Sequence, residues 1–217
     1  MSEQAGYRAV ITADMVNSTH FSNEDTGKWL KGLTTVLSKS HHFQWLLAPE
    51  IYRGDSFQGV LKDPRDALHV AVLSRAIMKS FAVQSDLRVA IGIGKTDLIT
   101  DRAGTSDGEA FRLSGHLADH IRQQKARIGI ALPYDSEPLN AVLGLLEILI
   151  ENWTVAQSEV VAALIQKQTI KQIAESFFIS QPAVSQRVAA ANWWALENFL
   201  SSFPEYLTHY TNLKNNA

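Results

Sequence analysis

The sequence predicts an α+β protein in two parts, a ferredoxin-like antiparallel sheet with helices on one face and then an all-α helix-turn-helix domain. Short β-branched apolar runs alternate with helical patterns up to about residue 133, in the order β-α-β-β-α-β with extra α-β elements. Residues 137–151 are apolar with helical spacing and join the two parts. Beyond them, helix-capping signals mark three short consecutive helices.

The first part divides into strands and helices by the period of its apolar residues. The predicted strands are short runs rich in β-branched and aromatic residues, at residues 7–13, 43–53, 55–61, 87–93 and 127–132. The second and third of these join around Gly54 as a β-hairpin. The predicted helices carry an apolar stripe, at residues 25–39, 64–81, 108–123 and 137–151. Pro64 suits the first turn of its helix, where a missing N–H costs nothing.

The second part begins with two helix starts of the same kind. Thr154 and Thr169 each stand three residues before a glutamine, the capping-box spacing that opens a helix. After a turn, Ser180 is a natural N-cap for a third helix, and Pro182 fits only in a first turn. These signals predict a complete three-helix unit.

Composition limits the class of protein. The 217 residues suffice for one large or two modest domains, and a net charge of -2 argues against a general polyanion binder. The absence of cysteine excludes disulfides and thiolate metal sites. The start lacks the pattern of a signal peptide, and no window of about twenty residues is free of polar interruptions. We therefore expect a cytoplasmic protein with no membrane partner.

The outward-facing side chains of the third helix are of the types that read DNA. Amides pair with adenine, arginine pairs with guanine, and short hydroxyls contact phosphates or base edges. The predicted base-reading residues are Gln181, Ser185, Gln186 and Arg187, and the predicted phosphate contacts are Thr169 and Lys171. The pattern IA, IS and VS followed by an arginine resembles the helix-turn-helix of bacterial transcription regulators. The alternative is an all-helical module for packing or dimerisation.

The charge of the helical part limits how it can bind DNA. From residue 151 onward it carries four lysine or arginine residues against five glutamates, whereas DNA-binding modules normally show a basic footprint. We therefore expect weak binding per subunit and a homodimer on double-stranded DNA. The predicted boundaries are 1–133 for the sheet domain, 134–152 for a connecting helix, 153–210 for the helix-turn-helix domain and 211–217 for a flexible tail.

A second resemblance runs through the first part. The segment ITADMVNST resembles the first strand and phosphate-facing turn of class III nucleotide cyclases, YRGDSFQGV resembles their metal-bearing hairpin, and LRVAIGIG resembles the strand beyond it. Combined with the C-terminal helix-turn-helix, the phrases RGDSFQ and SDGEAF make the chain similar to the SatD-like family of bacterial proteins. The resemblance implies that the sheet domain is a cyclase-like palm.

Two aspartates are the candidate metal ligands. In such a palm the end of the first strand lies beside the hairpin tip, so Asp14 and Asp55 are expected to converge on Mg²⁺ or Mn²⁺. Backbone amides of the turn after the first strand are expected to cradle the phosphates of a nucleotide, at Val16, Asn17, Ser18 and Thr19. The alternative is that both aspartates stand in turns because aspartate favours turns.

The sequence departs from the cyclase pattern on the helix predicted at residues 108–123. Active cyclases usually carry an asparagine and, four positions later, an arginine, and aligning GEAFRLSGHL puts Arg112 and His116 there. With Arg53 of the hairpin, these complete the predicted nucleotide contacts. Because losing a transition-state donor costs orders of magnitude in rate, we expect a domain without catalysis that dimerises or senses a nucleotide or metal ion. The competing hypothesis is an active cyclase, or a related metal-dependent nucleotidyl enzyme, with a helical interaction tail.

Overall fold

Five strands form one sheet in the structure, a computed structural model that describes residues 6–134 and 136–215, with side chains through residue 208. The strands are β1 (Arg8–Met15), β2 (Trp45–Tyr52), β3 (Ser56–Leu61), β4 (Leu87–Gly94) and β5 (Ile128–Ala131). Their order is β2-β3-β1-β4-β5. Neighbours among the first four are antiparallel, and β5 runs parallel to β4.

Eight α-helices accompany the sheet in the described residues. They are α1 (Asn23–Lys39), α2 (Ala67–Phe81), α3 (Glu109–Arg122), α4 (Glu137–Glu151), α5 (Val155–Ile165), α6 (Ile170–Ser176), α7 (Gln181–Ala190) and α8 (Trp193–Asn215). The elements β1-α1-β2-β3-α2-β4 have the connectivity of a ferredoxin-like unit. The strands and helices predicted for this region are all present, with small differences at their ends.

Helices cover both faces of the sheet, so the expectation of helices on one face was wrong. Side chains alternate between faces along a strand. On one face Ile11 and Ala13 of β1 join the main core with α1 and α2, and on the other Val10 packs with Ala110 and Phe111 of α3. A Cβ atom at Gly92 of β4 would clash with the backbone of α3. Glycine at that position therefore allows α3 to lie directly on the second face.

The C-terminal helices pack directly on the first part of the chain. Helix α5 lies against α2, and the main core extends from the sheet to buried Trp153, Val161, Leu196 and Phe203. A separate smaller cluster joins α5, α6 and α7, and it consists of Val160, Ala163, Ile173, Ala174 and Val184. Helix α5 therefore contributes one side to the main core and the other side to the three-helix unit.

Helix α8 extends into the region that was predicted to be a flexible tail. It continues through Asn215, so the described part of the tail expected at residues 211–217 is helical. Residues 1–5 and 216–217, which the predicted domain boundaries include, lie outside the described residues. Within the described ranges, no helix has both the length and the apolar character needed to cross a membrane.

A buried network of charges ties α2, α4 and the sheet together. The guanidinium of Arg75, which is 0% exposed, donates to both carboxylate oxygens of Asp86, at 3.0 and 2.7 Å, and to both of Glu147, at 2.8 Å each. Arg127, next to β5, donates to Asp86 through Nη1 at 2.8 Å and to Glu147 through its backbone N–H at 3.1 Å. Burial by itself raises the pKa of Asp86, but Arg75, Lys79 and Arg127 together outweigh it and the net pKa is lowered.

Candidate functional site

The two predicted acidic residues lie next to each other at one edge of the sheet. Asp14, near the end of β1, pairs across the ladder with Ser56 of β3 and with Arg88 of β4. Asp55 stands at the hairpin tip, where its carbonyl accepts a hydrogen bond from the N–H of Met15 at 2.9 Å. This backbone bond fastens the tip of the β2-β3 hairpin to the end of β1. The sequence therefore located the neighbourhood of these two residues correctly.

The carboxylate of Asp14 is held by two arginines. Its Oδ2 accepts from Nη1 of Arg88 at 3.1 Å and lies 3.6 Å from Nη2 of Arg122, at the end of α3. Asp14 is only 8% exposed. Burial raises the pKa of Asp14 and the charge of Asp55 raises it further, while Arg122 and Arg88 lower it, and the net direction is upward. The site therefore holds a carboxylate whose charge is only partly compensated.

Asp55 is engaged by hydroxyl groups. Its Oδ2 accepts from the hydroxyl of Ser18 and its Oδ1 from that of Ser56, both at 3.0 Å. A divalent cation normally needs several oxygen ligands from the protein or its substrate. In the part of the chain that the structure describes, no three histidine or acidic side chains come together as a metal site. With Asp14 bound to two arginines, the arrangement does not fit a resident Mg²⁺ or Mn²⁺ ion.

The turn after β1 is only partly available to a ligand. The Val16 side chain is buried, and its N–H already donates to the carbonyl of Asp86 at 2.9 Å, so this amide cannot bind a phosphate as expected. Asn17 is exposed in a left-handed conformation with φ 53°, and Thr19 is exposed beside it. Of the backbone amides predicted to bind a phosphate, only those of the residues after Val16 therefore remain candidates.

A cavity of about 670 Å³ opens beside this turn. Val16 and Asn17 form one wall, and α4 forms another with Gly144, Glu147 and Ile148. Three cationic residues also line it, Arg88, Lys125 and Arg127, together with the acid Glu151. Its volume lies within the usual range for ligand pockets. Sequence reasoning missed all three cations, although the strand alternation that puts Arg88 opposite Asp14 could have identified the first of them.

The hairpin contributes an aromatic residue and a cation. Arg53 is exposed at the tip with φ 56°, and its guanidinium carbon lies 5.7 Å from the ring centroid of Tyr52. Burial raises the pKa of the Tyr52 hydroxyl, and the charges of Asp14 and Arg122 also act on it. The structure therefore adds Tyr52 to the Asp14 neighbourhood, and Arg53 remains on its exposed rim.

Arg112 does not join the Asp14 neighbourhood. It lies in the first turn of α3, close to where β4 ends, whereas Arg122 at the far end of the same helix reaches Asp14. Ten residues of helix separate them by about 15 Å. Arg112 instead binds Asp97 at 3.1 Å and Asp107 at 3.0 Å. His116 is exposed in the middle of the helix. The cyclase alignment of Arg112 thus puts it at the wrong end of α3 for this site.

The α6-α7 pair forms the second candidate site. Phe178, in the turn between the helices, is 95% exposed and has φ 54°. The hydroxyl of Ser180 accepts from the N–H of Ala183 at 3.3 Å and caps α7. Val184 is buried against α5 and α6, and the opposite side of α7 exposes Gln181, Ser185 and Gln186. The predicted base-reading amides and hydroxyl therefore share one solvent-facing side.

Two further predicted DNA contacts have partners within the protein. Arg187 is only partly exposed, and its Nη1 lies 3.6 Å from Oε2 of Glu159 on α5. The Thr169 hydroxyl takes part in its capping box, where it accepts from the N–H of Gln172 at 3.3 Å. Lys171 is exposed on α6. A DNA contact by Arg187 would therefore require it to leave Glu159.

Comparison with known proteins identifies one family. A model of the SatD family matches residues 7–194. No curated protein matches the chain.

Two solved guanylyl cyclase structures show a limited likeness. The catalytic core of a rhodopsin-guanylyl cyclase with converted specificity, in complex with ATPalphaS, is 17% identical over 58% of this chain and 77% of that chain, with a TM-score of 0.42. A dimeric guanylyl cyclase domain of the RhoGC fusion protein from the aquatic fungus Blastocladiella emersonii is 18% identical over 57% of this chain and 78% of that chain, with a TM-score of 0.43.

Proposed function

The chain belongs to the SatD family, and from this premise we propose that it is a DNA-binding transcriptional regulator whose sheet domain dimerises and senses a nucleotide. The observation that carries the proposal is the α5-α6-α7 unit. Its own small core buries Val184 and leaves Gln181, Ser185 and Gln186 on one exposed side of α7. That is the arrangement in which a recognition helix enters the major groove.

The low charge of this unit sets the conditions for binding. Phosphate contacts supply most non-specific affinity, and few cations are present here to make them. Specific contacts from α7 must then carry a larger share, and two copies must act together on half-sites about one helical turn apart. A homodimer is therefore part of the proposal.

Side-chain truncation on α7 tests the DNA contacts. Anisotropy titration of a labelled fragment enriched from genomic DNA would compare Gln186→Ala and Arg187→Ala with the wild-type chain. Removing one base-reading side chain is expected to weaken binding by about 1 to 3 kcal/mol. Asn198→Ala is the matched control, because Asn198 is exposed and belongs to α8 and not to the α5-α6-α7 unit. Equal affinity of all four proteins would contradict base reading by α7.

The proposed nucleotide site is the cavity beside the turn after β1. Its three cations, Arg88, Lys125 and Arg127, outnumber its two acids, Glu147 and Glu151. Arginine and lysine are the usual partners of phosphate oxygens. Arg88 lines the cavity and donates to Oδ2 of Asp14, and its positive charge favours the anion of a nucleotide over a free metal ion there. A ligand here would touch α4, which leads to the C-terminal helices.

Nucleotide binding can be measured without DNA. Isothermal titration of ATP and GTP, in buffer containing EDTA, is expected to show binding that Lys125→Gln weakens several-fold by removing a cationic contact. Lys28→Gln, an exposed lysine of α1, serves as the control. Binding that is unaffected by the change at Lys125 would remove the cavity from the proposal, and so would no binding at all.

A second candidate function is favoured by the adjacency of Asp14 and Asp55, the pair expected of a nucleotidyl enzyme. It predicts turnover of ATP or GTP that depends on Mg²⁺ or Mn²⁺ and disappears in Asp14→Ala and Asp55→Ala. The two arginines on Asp14 count against it, because both contact Oδ2 of the carboxylate that a cation would need. Chromatographic assay of the products would decide between turnover and binding alone.

A further inference from the structure

A second cavity, of about 230 Å³, lies where the C-terminal helices meet α2. Its polar lining comes from three elements and consists of His69 on α2, Lys167 and Gln168 in the turn between α5 and α6, and Glu197 and Ser201 on α8. Trp193 and Leu200 contribute an apolar surface. The volume falls below that of a pocket for a drug-sized ligand, so the cavity suits a smaller molecule.

The charged side chains that line this cavity do not form an ion pair with each other. Lys167 and Glu197 both line it, yet neither forms an ion pair in the described ranges of the chain. His69 adds a neutral imidazole, because burial, and then the charge of Lys167, lowers its pKa to about 4. The cavity thus offers one cation, one anion and neutral hydrogen-bonding groups around an apolar surface.

We propose that this cavity binds a small zwitterion with an apolar side chain, of the size and class of an α-amino acid. Lys167 and Gln168 would bind the carboxylate, and Glu197 and Ser201 would bind the ammonium group. Both pairings are charge-assisted hydrogen bonds, which are stronger than neutral ones. The side chain would pack on Trp193 and Leu200, which gives the site a preference among amino acids.

The position of the cavity gives such a ligand a structural consequence. Lys167 has φ 63° in the turn that connects α5 to α6, and the carbonyl of Gln166 in the same turn lies 3.2 Å from Nε2 of His42. A ligand held between this turn, α2 and α8 would fix the orientation of α6 relative to α5. An effect on DNA affinity rests on the proposed function, whereas binding of the zwitterion does not.

Calorimetric titration of the full chain with each of the twenty standard amino acids tests the site. At least one apolar amino acid is expected to bind, and Lys167→Gln and Glu197→Gln are each expected to weaken it at least tenfold. The matched controls are Lys31→Gln on α1 and Glu205→Gln on α8, which are exposed and outside the cavity. Circular dichroism of every variant verifies that the fold is retained.

A charge test separates the zwitterion from a simpler ligand. The amide derivative of the bound amino acid lacks the carboxylate and is expected to bind at least tenfold more weakly. No binding by any amino acid, or equal binding by the wild-type chain and both cavity variants, would overturn the proposal. If binding occurs but leaves DNA affinity unchanged, the site stands and only its regulatory consequence is refuted.

Discussion

Among single residues, Asp14 is buried at a cost in free energy that its arginine neighbours do not fully offset. Burial dominates and raises its pKa in spite of two arginine neighbours. A carboxyl whose folded pKa lies above its unfolded value contributes stability while protonated, and that contribution is lost as pH rises through the folded pKa. At neutral pH the ionised form is therefore less stable in the folded chain than in water.

We expect Asp14→Asn to raise the free energy of unfolding at pH 7, because a neutral amide avoids the cost of burying the charge. The gain should shrink as pH falls toward the pKa of Asp14, where the wild-type carboxyl becomes neutral too. Urea unfolding at pH 7 and at successively lower pH measures this, with the exposed Asp101→Asn as control. A less stable Asn variant at pH 7 would mean that the two ion pairs outweigh burial.

The backbone conformation of Phe178 is a second local source of instability. It is 95% exposed and lies in a left-handed conformation, which disfavours residues with a Cβ atom. We expect Phe178→Gly to stabilise the chain by about 1 kcal/mol. Phe178→Ala removes the ring but keeps the Cβ atom, so it should gain much less. Equal unfolding free energies of the Gly and Ala variants would show that the turn is not strained.

At the scale of elements, α2 and α4 are joined by the fully buried Arg75. Removing one member of a buried charge network leaves the others unpaired, so we expect Arg75→Met to destabilise the chain by about 3 to 5 kcal/mol. Arg65→Met is the matched control, because Arg65 is exposed and its pair with Asp63 should contribute less than about 1 kcal/mol. A similar small loss for both variants in denaturant unfolding would contradict the structural role of the network.

Helix α4 also has an apolar outer side. Val142, Leu145 and Ile148 are 44%, 67% and 58% exposed, and they lie at helical spacing on one side. Exposed apolar patches commonly mark interaction surfaces, and the proposed homodimer requires one. We therefore predict that, in the proposed homodimer, this side of α4 forms the contact between the two copies.

Leu145→Glu tests that contact. Burying a charged group without a partner is unfavourable, so we expect dimer affinity to fall at least about tenfold. Light scattering after size-exclusion chromatography should give twice the protomer mass for the wild-type chain and the protomer mass for the variant. Lys28→Glu, which alters an exposed charge on α1, should remain dimeric. A dimer that survives Leu145→Glu would place the interface elsewhere.

At the scale of the whole molecule, local signals predicted local structure well. The capping boxes at Thr154 and Thr169 form as expected, and the helix predicted at residues 137–151 has those bounds in the structure. Each rests on residues within a turn or two of one another. The adjacency of Asp14 and Asp55 also followed, because a strand end and a hairpin tip are brought together by strand pairing.

Contacts that join distant parts of the chain were not predicted. Arg75 and Glu147 are 72 positions apart, and no local sequence pattern around either residue indicates its partner. The face on which α3 lies could not be read from β1, because β1 is buried on both sides. Arg112 was placed with the nucleotide site by alignment, whereas the direction of α3 brings Arg122, and not Arg112, to Asp14.

Selection of genomic fragments on the purified full chain tests whether the α6-α7 pair reads DNA. The selection is run at low and at moderate salt, because added salt weakens phosphate contacts and this unit has few cations to make them. We predict enrichment of a discrete site with two-fold symmetry, which disappears when Gln186 and Arg187 are both changed to alanine. Fragments enriched without a common sequence, or a common site that the double variant retains, would contradict DNA reading by this pair.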